Sequence, residues 1–138
     1  MRYRLNFVVA ALLVAFIVPF LNASGALAAS DLSTRTSMQA AVSVKATPTT
    51  VSGDTWQFDL VFDTHSRALT DDLEKSARLV ADDGKTYSAF GWRGDPPGGH
   101  HRKGVLVFKA ITPLPASIEL QIVREGESQP RSFKWSLK

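Results

Sequence analysis

The chain of 138 residues contains no cysteine. It therefore has no disulfide bond, no lipid-modified cysteine and no cysteine nucleophile, and blue-copper and thiolate zinc sites are excluded. Only two methionines are present, Met1 and Met38, which excludes a Met-rich copper-binding motif. Without disulfides, the fold must depend on the packing of its core.

The chain also lacks a strong excess of charge. Its 16 lysines and arginines stand against 13 acidic residues, a formal net charge of +3. Arg2 and Arg4 lie in the N-terminal leader described below, so the remainder is more nearly balanced. The other basic residues are scattered, whereas nucleic-acid binding requires a concentrated basic surface. We therefore expect no nucleic-acid partner.

Motifs of common hydrolases are absent as well. The sequence has no Gly-x-Ser-x-Gly elbow. Asp63, His65 and Ser66 are neighbours, but a catalytic triad requires a shaped site rather than adjacency along the chain. The acid pairs Asp71-Asp72 and Asp82-Asp83 occur where helix caps and turns commonly carry acids. We predict that the protein is not an enzyme.

Residues 1–28 have the pattern of a secretory signal peptide. Basic residues at the start precede an apolar run over Phe7–Leu21, and the segment ends in the small-x-small triplet Ala26-Leu27-Ala28. The apolar run is shorter than the ~20 residues that a membrane-spanning helix needs. We expect cleavage after Ala28 and a periplasmic or secreted protein without a membrane span. An uncleaved N-terminal anchor is the alternative.

Alternation of apolar and polar residues predicts an all-β domain over 38–138, after a flexible lead-in over 29–37. In the clearest run, Trp56, Phe58 and Phe62 share one face, as in a half-buried strand. Six further runs are separated by turn residues. They predict strands at Met38–Ala46, Ala77–Ala81, Thr86–Trp92, Val105–Ala110, Ile118–Val123 and Phe133–Leu137.

About seven short strands with regular turns are typical of an immunoglobulin-like antiparallel β-sandwich, with a small barrel as the alternative. One short helical turn interrupts the pattern. Leu69 and Leu73 are spaced by four residues, and Thr70 is suited to cap a helix that begins with acidic residues.

Two segments concentrate residues of unusual backbone or proton chemistry. Gly91–Gly104 contains five of the nine glycines and two of the three histidines, and Asp63–Ser66 contains the third histidine. We predict that the two segments meet in space. His65, His100 and His101 would then be candidate ligands for Cu²⁺ or Zn²⁺, which bind neutral imidazole nitrogen.

The adjacent histidines limit this metal hypothesis. In an extended segment His100 and His101 point to opposite sides, so only one of them would face His65. The competing interpretation is structural: His65 would donate to a carbonyl or a carboxylate and fasten the long loop to the sandwich, with the Gly98-Gly99 pair allowing a close approach.

The long loop also suggests a binding surface. Trp92, Arg93 and Arg102 are the candidate partner-binding residues, since Trp92 followed by Pro96-Pro97 could form an exposed apolar ledge. The alternative is that Trp92 packs over the end of the sandwich and closes the core, because large aromatic side chains are usually buried.

The chain resembles an uncharacterised exported prokaryotic family of immunoglobulin-like β-sandwich domains over roughly residues 42–137. The most specific shared motifs are Thr64-His65-Ser66 and Gly98-Gly99-His100-His101-Arg102. Shorter pieces lie at 61–63, 72–73, 79–83, 92–94, 104–108 and 133–135. The resemblance implies an exported β-sandwich and no known activity, so it assigns no functional residues.

These observations lead to one functional hypothesis and one alternative. The first is a non-enzymatic, exported binding or accessory module of the cell envelope whose partner is an envelope protein. The alternative is a periplasmic Cu²⁺- or Zn²⁺-binding protein that uses His65 and His101, with His100 as a third ligand. Copper or zinc is the only cofactor that the sequence suggests.

Overall fold

The computed structural model describes residues 30–138, which form two antiparallel sheets packed face to face. The five-stranded sheet has the order β1-β2-β3-β7-β6 and the four-stranded sheet the order β5-β4-β8-β9. The predicted β-sandwich is therefore confirmed. The strands are β1 Arg35–Gln39, β2 Val42–Thr50, β3 Thr55–Thr64, β4 Ala77–Ala81, β5 Thr86–Ser88, β6 Gly91–Gly94, β7 His101–Lys109, β8 Ser117–Ile122 and β9 Arg131–Ser136, and the one helix among these residues is α1 Leu73–Ser76.

The core lies between the two sheets and follows the predicted alternation. Every second residue of β3 is buried, including Trp56, Phe58 and Phe62. The ring of Phe58 meets Phe108 of β7 edge-on, with centroids 5.6 Å apart, and Trp135 of the opposite sheet at 5.7 Å. Burial of each large side chain contributes about 1.5–3 kcal/mol, so these aromatic contacts are a main source of stability.

Two predicted strands are each divided, which explains why residues 30–138 contain nine strands rather than about seven. The run Met38–Ala46 is interrupted by a tight turn at Ala40 and Ala41, where φ is 46° and 59°. Its first part belongs to β1 and its second part to β2. The lead-in expected over 29–37 is correspondingly shorter, because β1 already begins at Arg35.

The predicted strand Thr86–Trp92 is divided because the chain changes sheet within it. β5 pairs with β4 in the four-stranded sheet, whereas β6 pairs with β7 in the five-stranded sheet. Ala89 and Phe90 make the crossing, and the Phe90 N–H donates to the carbonyl of Val107 (2.9 Å). This crossing closes one side of the sandwich.

The other side is closed by side chains of β9. Arg131 donates to the carbonyls of Ser37 and Gln39 on β1, and the Trp135 indole N–H donates to the carbonyl of Ser33 (2.7 Å). These bonds connect β1 and the residues just before it to β9 of the opposite sheet.

The short helix protects the edge at β6. Its Glu74 carboxylate accepts a hydrogen bond from the Trp92 backbone N–H (3.1 Å), on the side of β6 away from β7. The helix begins after Asp72, whose side chain accepts from the Lys75 N–H, so the expected cap at Thr70 is wrong. Over residues 30–138, no helix has the length and apolar character needed to cross a membrane.

Candidate functional site

The two segments singled out in the sequence do meet. Asp63 of β3 is paired with His101 of β7, and the Thr64 N–H donates to the carbonyl of His100 (2.9 Å). On the outer face of the sheet, the His101 Nδ1 contacts the Asp63 carboxylate, and both side chains are about half exposed. Antiparallel pairing of β3 and β7 therefore produces the predicted proximity.

The predicted metal centre is not assembled. Within residues 30–138, no three histidine or carboxylate side chains converge as metal ligands would. His65 and His100 are exposed, and neither side chain has a hydrogen-bond partner in that part of the chain. Successive strand residues point to opposite faces, so only His101 shares the outer face with Asp63. The proposed fastening role of His65 is also wrong, because within residues 30–138 its exposed imidazole bonds no carbonyl or carboxylate.

Backbone hydrogen bonds fasten the long loop instead. The Leu69 N–H donates to the Gly99 carbonyl (3.0 Å), and the Gly98 N–H donates back to the Leu69 carbonyl (2.9 Å). Gly98 and Gly99 have φ of 125° and 68°, values that side chains disfavour. At the base of the loop, the Lys103 N–H donates to the Asp95 carboxylate (2.9 Å).

Arg102 is the principal side chain under this loop. It is 3% exposed, and its guanidinium donates to the carbonyls of Asp71 (2.6 Å) and Asp95 (3.1 Å) while lying over the ring of Trp92. Burial lowers the pKa of Arg102, and the charges of Asp71, Asp95 and Asp72 oppose that shift. Arg102 is therefore not a partner-binding residue, because its charge is used within the fold.

Trp92 packs against the sandwich, as the second of its two interpretations predicted, rather than forming an exposed apolar ledge. The indole is half-buried, packs against the core and donates from Nε1 to the Asp95 carbonyl (2.9 Å). It lies directly over Gly104 of β7, where the absence of a side chain makes room for the ring. Arg93 is exposed and stays a predicted partner-binding residue.

A buried chain of charges lies beside this region, and sequence reasoning missed it. Arg124 holds the Asp71 carboxylate through Nε and Nη2 (3.0–3.2 Å) and the Glu127 carboxylate through Nη1 (3.0 Å). Arg131 holds the same Glu127 through two further bonds of 2.6 and 2.9 Å. All four side chains are at most 8% exposed.

Arg131 extends this chain of charges to the β1–β2 turn. Its guanidinium donates to the carbonyls of Ser37 (3.1 Å), Gln39 (2.8 Å) and Val42 (2.8 Å). The Thr64 hydroxyl adds a bond to the Ala41 carbonyl (3.0 Å). The turn is thereby fixed to two other segments at the same end of the sandwich.

Three buried arginines thus hold four connecting segments together. We call this region the arginine-braced end, defined by residues 39–42, 64–72, 95–101 and 123–131. Its surface has a groove between the second and fourth segments. Two adjoining depressions of about 400 and 460 Å³ form the groove and share Thr70, Asp71 and Glu125.

Sequence comparison identifies no relatives: the chain matches no protein-family profile and no curated protein. A solved structure to which it is similar is MPT63, a secreted protein from Mycobacterium tuberculosis. The two chains are 15% identical, the match covers 82% of this chain and 99% of that one, and the TM-score is 0.46.

Proposed function

We propose that the protein is a non-enzymatic, exported binding module of the cell envelope and that the arginine-braced end is its binding surface. The observation that carries the proposal is the burial of Arg102, Arg124 and Arg131 beneath loops rather than within a conventional core. Buried ion pairs are a poor route to stability, because apolar residues of similar volume usually do as well or better. Their advantage here is positional, since each guanidinium fixes backbone carbonyls or carboxylates from separate segments.

A surface of fixed shape favours binding. Ordering flexible loops costs free energy on association, and a preorganised surface avoids that cost. The exposed residues of the arginine-braced end include His65, Ser66, Thr70 and His100, which offer hydrogen-bonding groups without a large net charge. This composition suits a polar partner that is recognised by shape and hydrogen bonds.

Strand addition at the edge of β6 is a less suitable mode of binding. There the Trp92 backbone N–H already donates to the Glu74 carboxylate. Partners that extend a sheet need a row of free backbone groups. The connecting segments at the arginine-braced end are therefore the better candidates for contact.

The first test locates the contact surface. A photoreactive phenylalanine derivative is placed at His65 or at Thr70 in the full-length protein, in cells that make it. Illumination should give a discrete cross-linked species from both positions. The matched control is Lys134, which is exposed on the outer face of the four-stranded sheet. Equal cross-linking from Lys134, or none from the first two positions, would contradict the proposal.

The second test concerns export. Expression of the full-length chain in a bacterial host should yield a leader-free protein whose N-terminal residue is Ala29. Replacement Ala28→Arg should block this processing, because the cleavage site requires small residues. N-terminal sequencing and fractionation of the envelope measure both results. Recovery of the unaltered chain with Met1 at its start would support the anchored alternative instead.

A further inference from the structure

The β1–β2 turn is strained. Ala40 and Ala41 occupy the left-handed region in succession, with φ of 46° and 59°. The two residues form a two-residue hairpin between the pair Gln39 and Val42. Hairpins of this length favour Asn-Gly because Asn and Gly tolerate positive φ, whereas alanine in this conformation places its Cβ too close to the following carbonyl. Contacts from outside the turn are therefore needed to stabilise this backbone conformation.

Arg131 supplies most of that restraint. Its Nη1 donates to the carbonyls of Ser37 and Val42, and its Nη2 donates to the carbonyl of Gln39. These three acceptors flank both sides of the turn. A guanidinium presents its donors in a fixed planar fork, so it can hold the turn only while the plane of the fork is itself fixed.

Glu127 fixes that plane. Its carboxylate accepts from Nε and Nη2 of Arg131, and one of its oxygens also accepts from Nη1 of Arg124. The charged groups that face Glu127 are therefore Arg131 and Arg124, and Asp71 lies on the far side of Arg124. Arg67 approaches the same loop at Gly126.

We propose that Glu127 is an acid-operated latch: while it is ionised it holds Arg131 against the strained β1–β2 turn, and when it is protonated the turn is released. A protonated carboxyl has no negative charge and gives up one acceptor site to its own proton. It can no longer hold two guanidinium groups. The strain stored at Ala40 and Ala41 then favours local opening of the hairpin while the aromatic core stays packed.

The direction of the pH dependence follows from the same contacts. Hydrogen bonding by Arg131 is the largest influence and lowers the pKa of Glu127 below its ordinary value, although burial opposes the shift. A lowered pKa in the folded state means that Glu127 stabilises the fold above the pKa of the unfolded chain. That contribution is lost as the pH falls through the folded-state value. The latch therefore opens only in acid, at a pH below the ordinary pKa of a glutamate side chain.

Hydrogen exchange of the protein at pH 7 tests the latch without acid, because Glu127→Gln imitates the neutral carboxyl. Amides of residues 36–45 should exchange about tenfold faster or more in this variant, since charge-assisted bonds to Arg131 are lost. Amides of the central strands β3 and β7 should change much less. The matched control is Glu125→Gln, an exposed residue two positions away, which should exchange like the natural protein.

A second variant separates strain from general weakening. Changing Ala40 to Asn and Ala41 to Gly gives the turn a sequence that accepts its backbone angles. When these changes are added to Glu127→Gln, slow exchange over residues 36–45 should return. The latch is overturned if Glu127→Gln leaves that segment unchanged, if all strands accelerate equally, or if the Asn-Gly turn restores nothing. It does not depend on the binding role proposed above.

Discussion

Replacement of Gly104 by alanine is expected to lower the free energy of unfolding by about 3 kcal/mol or more, or to prevent folding. A Cβ at this position would lie 2.6 Å from the Arg93 carbonyl, 2.6 Å from the Trp92 ring and 2.7 Å from the Cα of Gly94. Two of these contacts are with backbone atoms, which cannot rotate away. The edge strand β6 would have to separate from β7.

The destabilisation should extend beyond the steric clash of the new Cβ. The Trp92 indole packs against Gly104 and also contacts the Arg102 guanidinium, so displacing the indole disturbs the group that holds the 95–101 segment. Thermal denaturation followed by circular dichroism measures the loss. For a domain of this size, we expect the midpoint to fall by roughly 10 °C or more.

Gly91 provides the matched control, because it lies on the same edge strand with ordinary backbone angles. A Cβ there would meet Val107 at 3.7 Å, which is normal van der Waals contact. Gly91→Ala should therefore change stability by no more than about 0.5 kcal/mol. Equal behaviour of the two variants would show that the close approach of β6 and β7 is not a feature of the folded protein.

Replacement of Arg131 by methionine is the second change with a large expected effect, about 3–5 kcal/mol of lost stability. Methionine fills a similar volume but donates no hydrogen bonds. The carbonyls of Ser37, Gln39 and Val42 would lose the guanidinium as a donor, and of its two guanidinium partners the buried Glu127 carboxylate would keep Arg124 alone. Buried polar groups without partners are among the costliest defects in a folded protein.

Two further variants identify the source of that loss. Arg78→Met removes an exposed arginine whose side chain bonds Gln121 on the outer face of the sheet, so it should be nearly neutral. Combining Arg131→Met with Glu127→Gln should destabilise less than the sum of the two changes, because the second removes the carboxylate that the first leaves with one partner. Strict additivity, measured by urea denaturation, would contradict the coupling.

The fold follows from local patterns that a sequence displays directly. The run around Trp56, Phe58 and Phe62 alternates without interruption, and the structure buries that face. The divided strands were harder to predict. The turn at Ala40 and Ala41 has no glycine or asparagine to mark it, and the hydrogen bonds from Arg131 that flank it come from a distant strand.

The sequence contains a signal for the buried arginines of the arginine-braced end: each lies in phase with the buried residues of a strand. Arg131 lies two residues before Phe133 on β9 and is buried on the same face of the strand as Phe133 and Trp135. Arg102 and Arg124 likewise lie in phase with the buried residues of β7 and β8. A charged residue in phase with core residues at the end of a strand predicts a buried charge. Its partners cannot be read from the sequence, because they come from distant segments.

The histidines show the opposite case: they are conspicuous in the sequence, but they assemble no metal site within residues 30–138. His65 and His100 are exposed, and His101 contacts only Asp63 among the possible metal ligands in residues 30–138. What matters in that stretch is the backbone: glycines permit the loop, and carbonyls of His100 and Gly99 accept from Thr64 and Leu69. The contribution of this segment to the fold is therefore made by its backbone rather than by its histidine side chains.

The decisive measurement is ¹⁵N relaxation of the protein in solution, without any ligand. A preorganised surface requires backbone order parameters near 0.85 throughout 64–72, 95–101 and 123–131, as rigid as the strands themselves. Values below about 0.6 in these connecting segments would mean that the buried guanidinium groups do not immobilise them, and the binding surface described above would then not exist before a partner arrives.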